Sequence, residues 1–396
     1  MVEKCSYTSD THIKKVHSRN TFQLKHRFPV IIIITIFASN IASLSLTHDQ
    51  TYAQSLSKTD TANAITQKVS LGKRPLTIAI NPNTNKVYVV EINPRLRPDA
   101  PGTVSVIDGK EDKVVGNVTV GKRPEYIAIN PNTNKVYVGN WGSGTVSVID
   151  GKEDKVVGNV TVGRSHAPTM LDYTPFPIAI NPNTNKVYVG KEVNLNTSQI
   201  LVIDGQQDKL VRKVTVGFFS TTDSMYSPLI INPNTNKVYV PNWRSGTVSV
   251  IDGKEDKVVG NVTVGKLPEY IAINPNTNKV YVGNVGSGTE SPGTVSVIDG
   301  KEDKVVGNVT VGKLPEYIAI NPNTNKVYVG NVGSGTVSVI DGKEDKVVGN
   351  VTLEGPAIGV HIPLIINPNT NKVYVGNGDS VSVIRGEQTN LVQQIR

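Results

Sequence analysis

From about residue 65 onward, apolar positions alternate with polar ones in short runs, and Gly, Pro or Asn-rich clusters interrupt the runs roughly every ten residues. The shortest complete unit shows the pattern best. Its runs are KVYV (Lys237–Val240), GTVSVID (Gly246–Asp252), KVVGNVTVG (Lys257–Gly265) and YIAIN (Tyr270–Asn274). The first and last are apolar on both sides, as expected of strands sandwiched between neighbouring sheets. The third carries Asn261 and Thr263 on one side, which suits an outer edge strand.

The unit recurs. The nonapeptide NPNTNKVYV begins at Asn81, Asn130, Asn181, Asn232, Asn274, Asn321 and Asn367, at spacings of 49, 51, 51, 42, 47 and 46 residues. Periods of roughly 40–50 residues mark propeller blades or helical solenoids. The alternation and the frequent Gly and Pro exclude helical repeats. Four strands per unit (a to d) and seven units predict an all-β fold: a seven-bladed β-propeller of four-stranded antiparallel blades.

The stretch NKVYVGNWGSGTVSVIDGKEDKVVGNVTVG, with PEYIAINP in other repeats, resembles the YVTN-type β-propeller repeat, with YVGN, YVVE or YVPN where that family has Tyr-Val-Thr-Asn. The resemblance covers about residues 65–396. It implies a secreted or cell-surface propeller, including proteins like those of archaeal surface layers, that serves mostly as a binding scaffold. The Gly-His and Trp-Asp markers of WD40 repeats are absent.

Ring closure is expected to use the N-terminus. Seven a-b-c sets accompany eight d-like segments, and the terminal ones, Ile65–Gly72 and Leu391–Arg396, compete for one place. The N-terminal segment is expected to complete the last blade and hide its edge. Alternatively, Leu391–Ile395 holds that place and Ile65–Leu71 adds outside it.

Residues 1–53 read as a secretory signal: a basic start, an apolar stretch at 28–46 and the small-residue spacing Thr51-x-Ala53 before a cleavage point. An uncleaved membrane anchor is the competing reading, because the apolar stretch approaches the ~17–25 residues needed to span a bilayer. Residues 54–64 form a polar linker, and 65–396 the propeller. The sole cysteine, Cys5, falls in the leader, so disulfides and thiolate metal sites are excluded from the rest. The net charge of +8 has no basic run after the leader and gives no support for nucleic acid as a partner.

Propeller loops alternate between two faces. The a–b turn is always NPNTNK. The c–d turn is DGKEDK in five units, DGQQDK at Asp204–Lys209 and RGEQTN at Arg385–Asn390. The b–c and d–a loops share the other face and hold nearly all the variation in length, including 90–102, 164–177, 218–228 and 353–363. Variable loops on a rigid scaffold are where recognition usually lies. The ligand-binding candidates are therefore His166, Asp172, Tyr173, Phe176, Phe218, Phe219, Asp223 and Tyr226 on the d–a insertions, with Trp141, Trp243 and Arg244 on b–c loops. Mutual burial of these loops is the structural alternative.

Other chemistry is sparse. NPNTNK reads as a turn set by Pro and Asn. DGKEDK lacks the acid spacing of a calcium loop and reads as a charged hairpin turn. Asn-x-Ser/Thr acceptors for glycans occur at Asn196, on a variable loop, and at Asn117, Asn159, Asn261, Asn308 and Asn350, copies of one strand-d position. Only His166 and His361 follow the leader, so no metal site, cofactor or catalytic triad is predicted. The acids Glu91, Asp99, Asp172, Glu192 and Asp223 are scattered over the loops.

The expected function is an extracellular scaffold that binds a glycan, a peptide or a surface protein through its b–c/d–a face. The expected partner is an extracellular protein or glycan, with membrane contact only through an uncleaved leader, and the chain acts as a monomer or in a surface assembly. A structural surface-layer component and a lactonase-like hydrolase are the alternatives.

Overall fold

A computed structural model describes residues 69–71, 74–92, 100–163, 176–219, 229–286, 291–353, 364–367, 371–377 and 380–385. The leader, the linker and Leu391–Arg396 lie outside the described residues. Of the closing segment Ile65–Gly72 only 69–71 are described, outside any strand, so both ring-closure pairings lie outside the described residues.

The described strands fall into seven antiparallel sheets. Blade 1 is β1–β4 (Arg74–Asn81, Lys86–Ile92, Pro101–Asp108, Lys113–Lys122) and blade 2 is β5–β8 (Pro124–Asn130, Lys135–Asn140, Thr145–Asp150, Lys155–Thr161). Blade 3 is β9–β12 (Ile178–Asn181, Lys186–Glu192, Thr197–Asp204, Lys209–Gly217) and blade 4 is β13–β16 (Ile230–Asn232, Lys237–Asn242, Thr247–Asp252, Lys257–Thr263). Blade 5 is β17–β20 (Pro268–Asn274, Lys279–Asn284, Pro292–Asp299, Lys304–Lys313) and blade 6 is β21–β24 (Pro315–Asn321, Lys326–Asn331, Thr336–Asp341, Lys346–Thr352). Blade 7 shows β25–β27 (Leu364–Asn367, Lys372–Asn377, Ser380–Arg385) among the described residues. The chain is an all-β, seven-bladed propeller, and strands pair in chain order, a to d in blades 1–6 and a to c in the described part of blade 7.

The core lies between blades rather than within one. Val136 and Val138 of β6 join Val104, Val106 and Val118 of blade 1 in one cluster. Tyr137, on the opposite face of the same strand, joins Val187, Val189 and Leu201 of blade 3 in another. A β-strand sends successive side chains to opposite faces, so an apolar strand b is needed to fill both gaps.

Strand d has a bulge at one place in every described copy. In blade 2 the register shifts between Val148 and Ile149, which leaves Val157 as the extra residue. The equivalent Val115, Val211, Val259 and Val306 are likewise exposed. The bulge twists the outer edge and breaks its ladder, which discourages pairing with another chain.

Candidate functional site

The face carrying the a–b and c–d turns is taken up by contacts between blades. Asn81 Oδ1 accepts the Asn83 N–H, and Asn85 adopts φ 56°, a left-handed conformation that Asn tolerates. Asn81 Nδ2 then donates to Asn134 Oδ1 of the next blade at 2.6 Å, and Asn83 Nδ2 donates to the Pro131 carbonyl at 2.9 Å. Lys86 Nζ donates to the Gly151 carbonyl and pairs with Asp154 Oδ2 at 2.7 Å. Tyr88, wholly buried, donates its hydroxyl proton to Asp154 Oδ1 at 3.0 Å.

The set repeats around the ring. Lysines 135, 186, 237 and 279 pair with Asp208, Asp256, Asp303 and Asp345 at 2.6–2.7 Å. The Asn–Asn bond recurs at every described junction, down to Asn321 Nδ2 with Asn371 Oδ1. Burial, reinforced by the neighbouring aspartate, pushes the hydroxyls of Tyr88, Tyr137, Tyr188, Tyr239 and Tyr281 well above the ordinary tyrosine range.

One junction departs from the set. The position of Asp345 in blade 6 is Thr389 in blade 7. Lys326 turns back to Asp341 of its own blade at 2.7 Å, and the buried Tyr328 hydroxyl has no hydrogen-bond partner among the described residues. NPNTNK and DGKEDK are turns, as the sequence predicts. They are also the two halves of a clamp between blades, which sequence reasoning missed. The available signal was that NPNTNK never varies and that the fifth residue of the c–d turn is Asp in every repeat but the last.

A second polar set lies within the blades, near the opposite face. In blade 2, Asn140 Nδ2 donates to Ser147 Oγ at 2.9 Å, and that hydroxyl donates to Asn159 Oδ1 at 2.7 Å. Blades 4, 5 and 6 repeat it as Asn242–Ser249–Asn261, Asn284–Ser296–Asn308 and Asn331–Ser338–Asn350. Blade 1 substitutes the buried Glu91, which accepts from Ser105 Oγ. The buried Asn packs on a glycine that ends the preceding strand d: a Cβ on Gly121 would lie 2.6 Å from the Asn140 side chain.

The candidate binding residues divide. On the b–c/d–a face, the Arg123 guanidinium lies 4.4 Å from the Trp141 ring centroid, and Arg244 lies 5.0 Å from that of Phe218. Such stacking is attractive, and more so when partly desolvated. Trp141, Phe218 and Trp243 are half-buried and Arg244 is exposed. Phe176 and Phe219 are corrected: at 0% and 1% exposure they fill the gaps between blades, so their side chains are core and not displayed. They stand where the insertions meet the described strands, and close packing between blades favours a large ring there. His166, Asp172, Tyr173, Asp223 and Tyr226 lie outside the described residues.

The acceptors Asn117, Asn159, Asn196, Asn261, Asn308 and Asn350 are all exposed. Of the scattered acids, Glu91 and Glu192 are buried, while Asp99, Asp172 and Asp223 lie outside the described residues. Among the described residues no three His, Cys, Asp or Glu side chains gather closely enough to hold a metal ion.

Two solved structures share the architecture. Hydrazine synthase of Kuenenia stuttgartiensis superposes with a TM-score of 0.52 at 20% identity, covering 84% of this chain and 99% of that one. Dihydro-heme d1 dehydrogenase NirN, in complex with DHE, superposes with a TM-score of 0.59 at 14% identity, covering 80% of this chain and 65% of that one. At such identities the likeness concerns the fold alone. No curated protein matches the sequence. The model of the family described as lactonase, 7-bladed beta-propeller matches residues 43–172 and 254–361, more than half of the chain. With its blade count and strand order, this chain therefore belongs to the lactonase seven-bladed β-propeller family.

Proposed function

We propose that this chain is a secreted or cell-surface scaffold of the YVTN type that binds an extracellular glycan, peptide or surface protein through its b–c/d–a face. The observation that carries the reading is the pair of Arg–aromatic stacks, Arg123 with Trp141 and Arg244 with Phe218, on the face where the loops differ from blade to blade. Planar rings beside a guanidinium suit sugar faces and aromatic or acidic side chains. The opposite face supports the reading by its sameness, since its turns engage the next blade at each described junction.

A second reading is a hydrolase acting on lactones. The family description favours it. It requires carboxylates converging on the channel from several blades. A structural surface-layer role would show as ordered self-assembly of the purified protein.

The test is a pull-down from glycan beads and surface-protein extracts, comparing the intact chain with one whose 164–177 and 217–228 loops are cut to the length of GKLPEY. Loss of capture with an unchanged fold supports the loop face, and equal capture overturns it. Lactone turnover by the intact chain favours the hydrolase.

A further inference from the structure

Blade 3 breaks the polar set that its neighbours share. Where blades 2, 4, 5 and 6 have Asn, Ser and Asn across strands b, c and d, blade 3 has Lys191, Leu201 and Lys213. The ladder fixes this equivalence. Val189 pairs with Leu201, and Leu201 pairs with Lys213. In blade 2, Val138 pairs with Ser147, and Ser147 pairs with Asn159. Lys191 stands two residues beyond Val189, on the same face of the strand. Both lysines therefore stand on the sheet face turned toward blade 2, where Val189 and Leu201 pack against Val160 and Val162.

Lys191 is half-buried. Its ammonium donates to the Val162 carbonyl at 3.2 Å, at the end of the preceding strand d. A Cβ on Gly163 would lie 2.8 Å from its Nζ, so the glycine makes room for it. Lys213, opposite Leu201 in the ladder, is exposed. Neither lysine forms a salt bridge among the described residues, whereas lysines 86, 135, 186, 237, 279 and 326, which begin strand b on the opposite face, each have an aspartate. Burial and then the positive charge of Lys213 hold the Lys191 ammonium below the ordinary lysine range, so the two charges act on each other. At the junction of blades 1 and 2, the equivalent groove is a cleft of about 320 Å³ lined by Thr119, Gly121, Thr145, Ser147 and Asn159. There it is polar and neutral.

We propose that the groove between blades 2 and 3 is an oxyanion-binding site, in which Lys191 and Lys213 hold a sulfate, phosphate or carboxylate group over the Leu201 side chain. Two like charges over an apolar floor repel each other until an anion joins them. Lys191 has two N–H donors beyond the one given to Val162, and Lys213 supplies the outer contact. The ligand is either a free inorganic oxyanion or the acidic group of a sugar. This site stands independently of the Arg–aromatic stacks.

The test titrates the intact chain with sodium sulfate, sodium phosphate and glucuronate at fixed ionic strength, following heat of binding and melting temperature. A chloride titration serves as the control. Saturable binding by one of the three is expected, weakened at least tenfold in a Lys191→Asn, Lys213→Gln variant. Gln is used at 213 because Asn there would create an acceptor with Thr215. Lys213→Arg keeps the charge and is expected to keep binding. Saturation by sulfate and phosphate alone assigns a free oxyanion, and saturation by glucuronate assigns an acidic sugar. Equal binding by the double variant, or no response beyond chloride, overturns the site. A folded double variant with its melting temperature intact in chloride excludes a merely structural loss.

Discussion

At the scale of single residues, several letters of the nonapeptide have a partner in the next blade. The first Asn closes a local turn and bonds to the fifth Asn of the following blade, and the third bonds to the carbonyl of the following Pro. Lys and Tyr share one aspartate across the same junction. A residue that contacts its own repeat cannot change in one copy without disturbing the next. Replacing Asp208 with Asn should cost about 1–3 kcal/mol, because the half-buried Lys135 ammonium loses its counter-charge. The midpoint of urea unfolding checks it. The tyrosines give a pH signature. The folded chain keeps their phenol protons where the unfolded chain releases them, near a pKa of about 10. Their contribution is therefore complete below about pH 10 and declines as pH rises above it. Unfolding midpoints measured across that range should fall, and less steeply when Tyr137, Tyr188 and Tyr239 are Phe.

At the scale of the element, strands and turns were legible in the sequence because they depend on nearest neighbours. Strands b, c and d of blade 4 were expected at 237–240, 246–252 and 257–265 and run Lys237–Asn242, Thr247–Asp252 and Lys257–Thr263. What was not legible links residues roughly 50 to 70 positions apart, such as Lys86 with Asp154, because alternation carries no sign of which aspartate a lysine meets. The same limit applies to Phe176 and Phe219. Their place on inserted loops suggested display, and only their packing against valines of two neighbouring blades explains their burial. The junction of blades 6 and 7 turns this logic into a prediction. Thr389→Asp restores the missing partner and should let Lys326 and Tyr328 pair as their equivalents do. A gain of about 1 kcal/mol, or a few degrees in melting temperature, is expected. No gain would mean that the clamp contributes little there.

At the scale of the whole molecule, repetition and divergence occupy opposite faces. Repetition joins successive blades from blade 1 to blade 6 by one kind of contact, which suits a stiff platform. Divergence is concentrated in the b–c and d–a loops and in the lysines of blade 3. Export is part of the proposed function. Expression in a secreting host should give a mature N-terminus at Gln54, read by N-terminal sequencing, and an intact Met1 would support the anchor instead.

The division of labour between the faces is tested most directly by measuring melting temperature and ligand capture on two variants side by side. Asp208→Asn alters the clamp face, and Trp243→Ala with Arg244→Ala alters the loop face. The account predicts that the first variant melts lower and captures as the intact chain does, while the second melts unchanged and loses capture. Capture lost by the folded clamp variant, or retained by the loop variant, would contradict it.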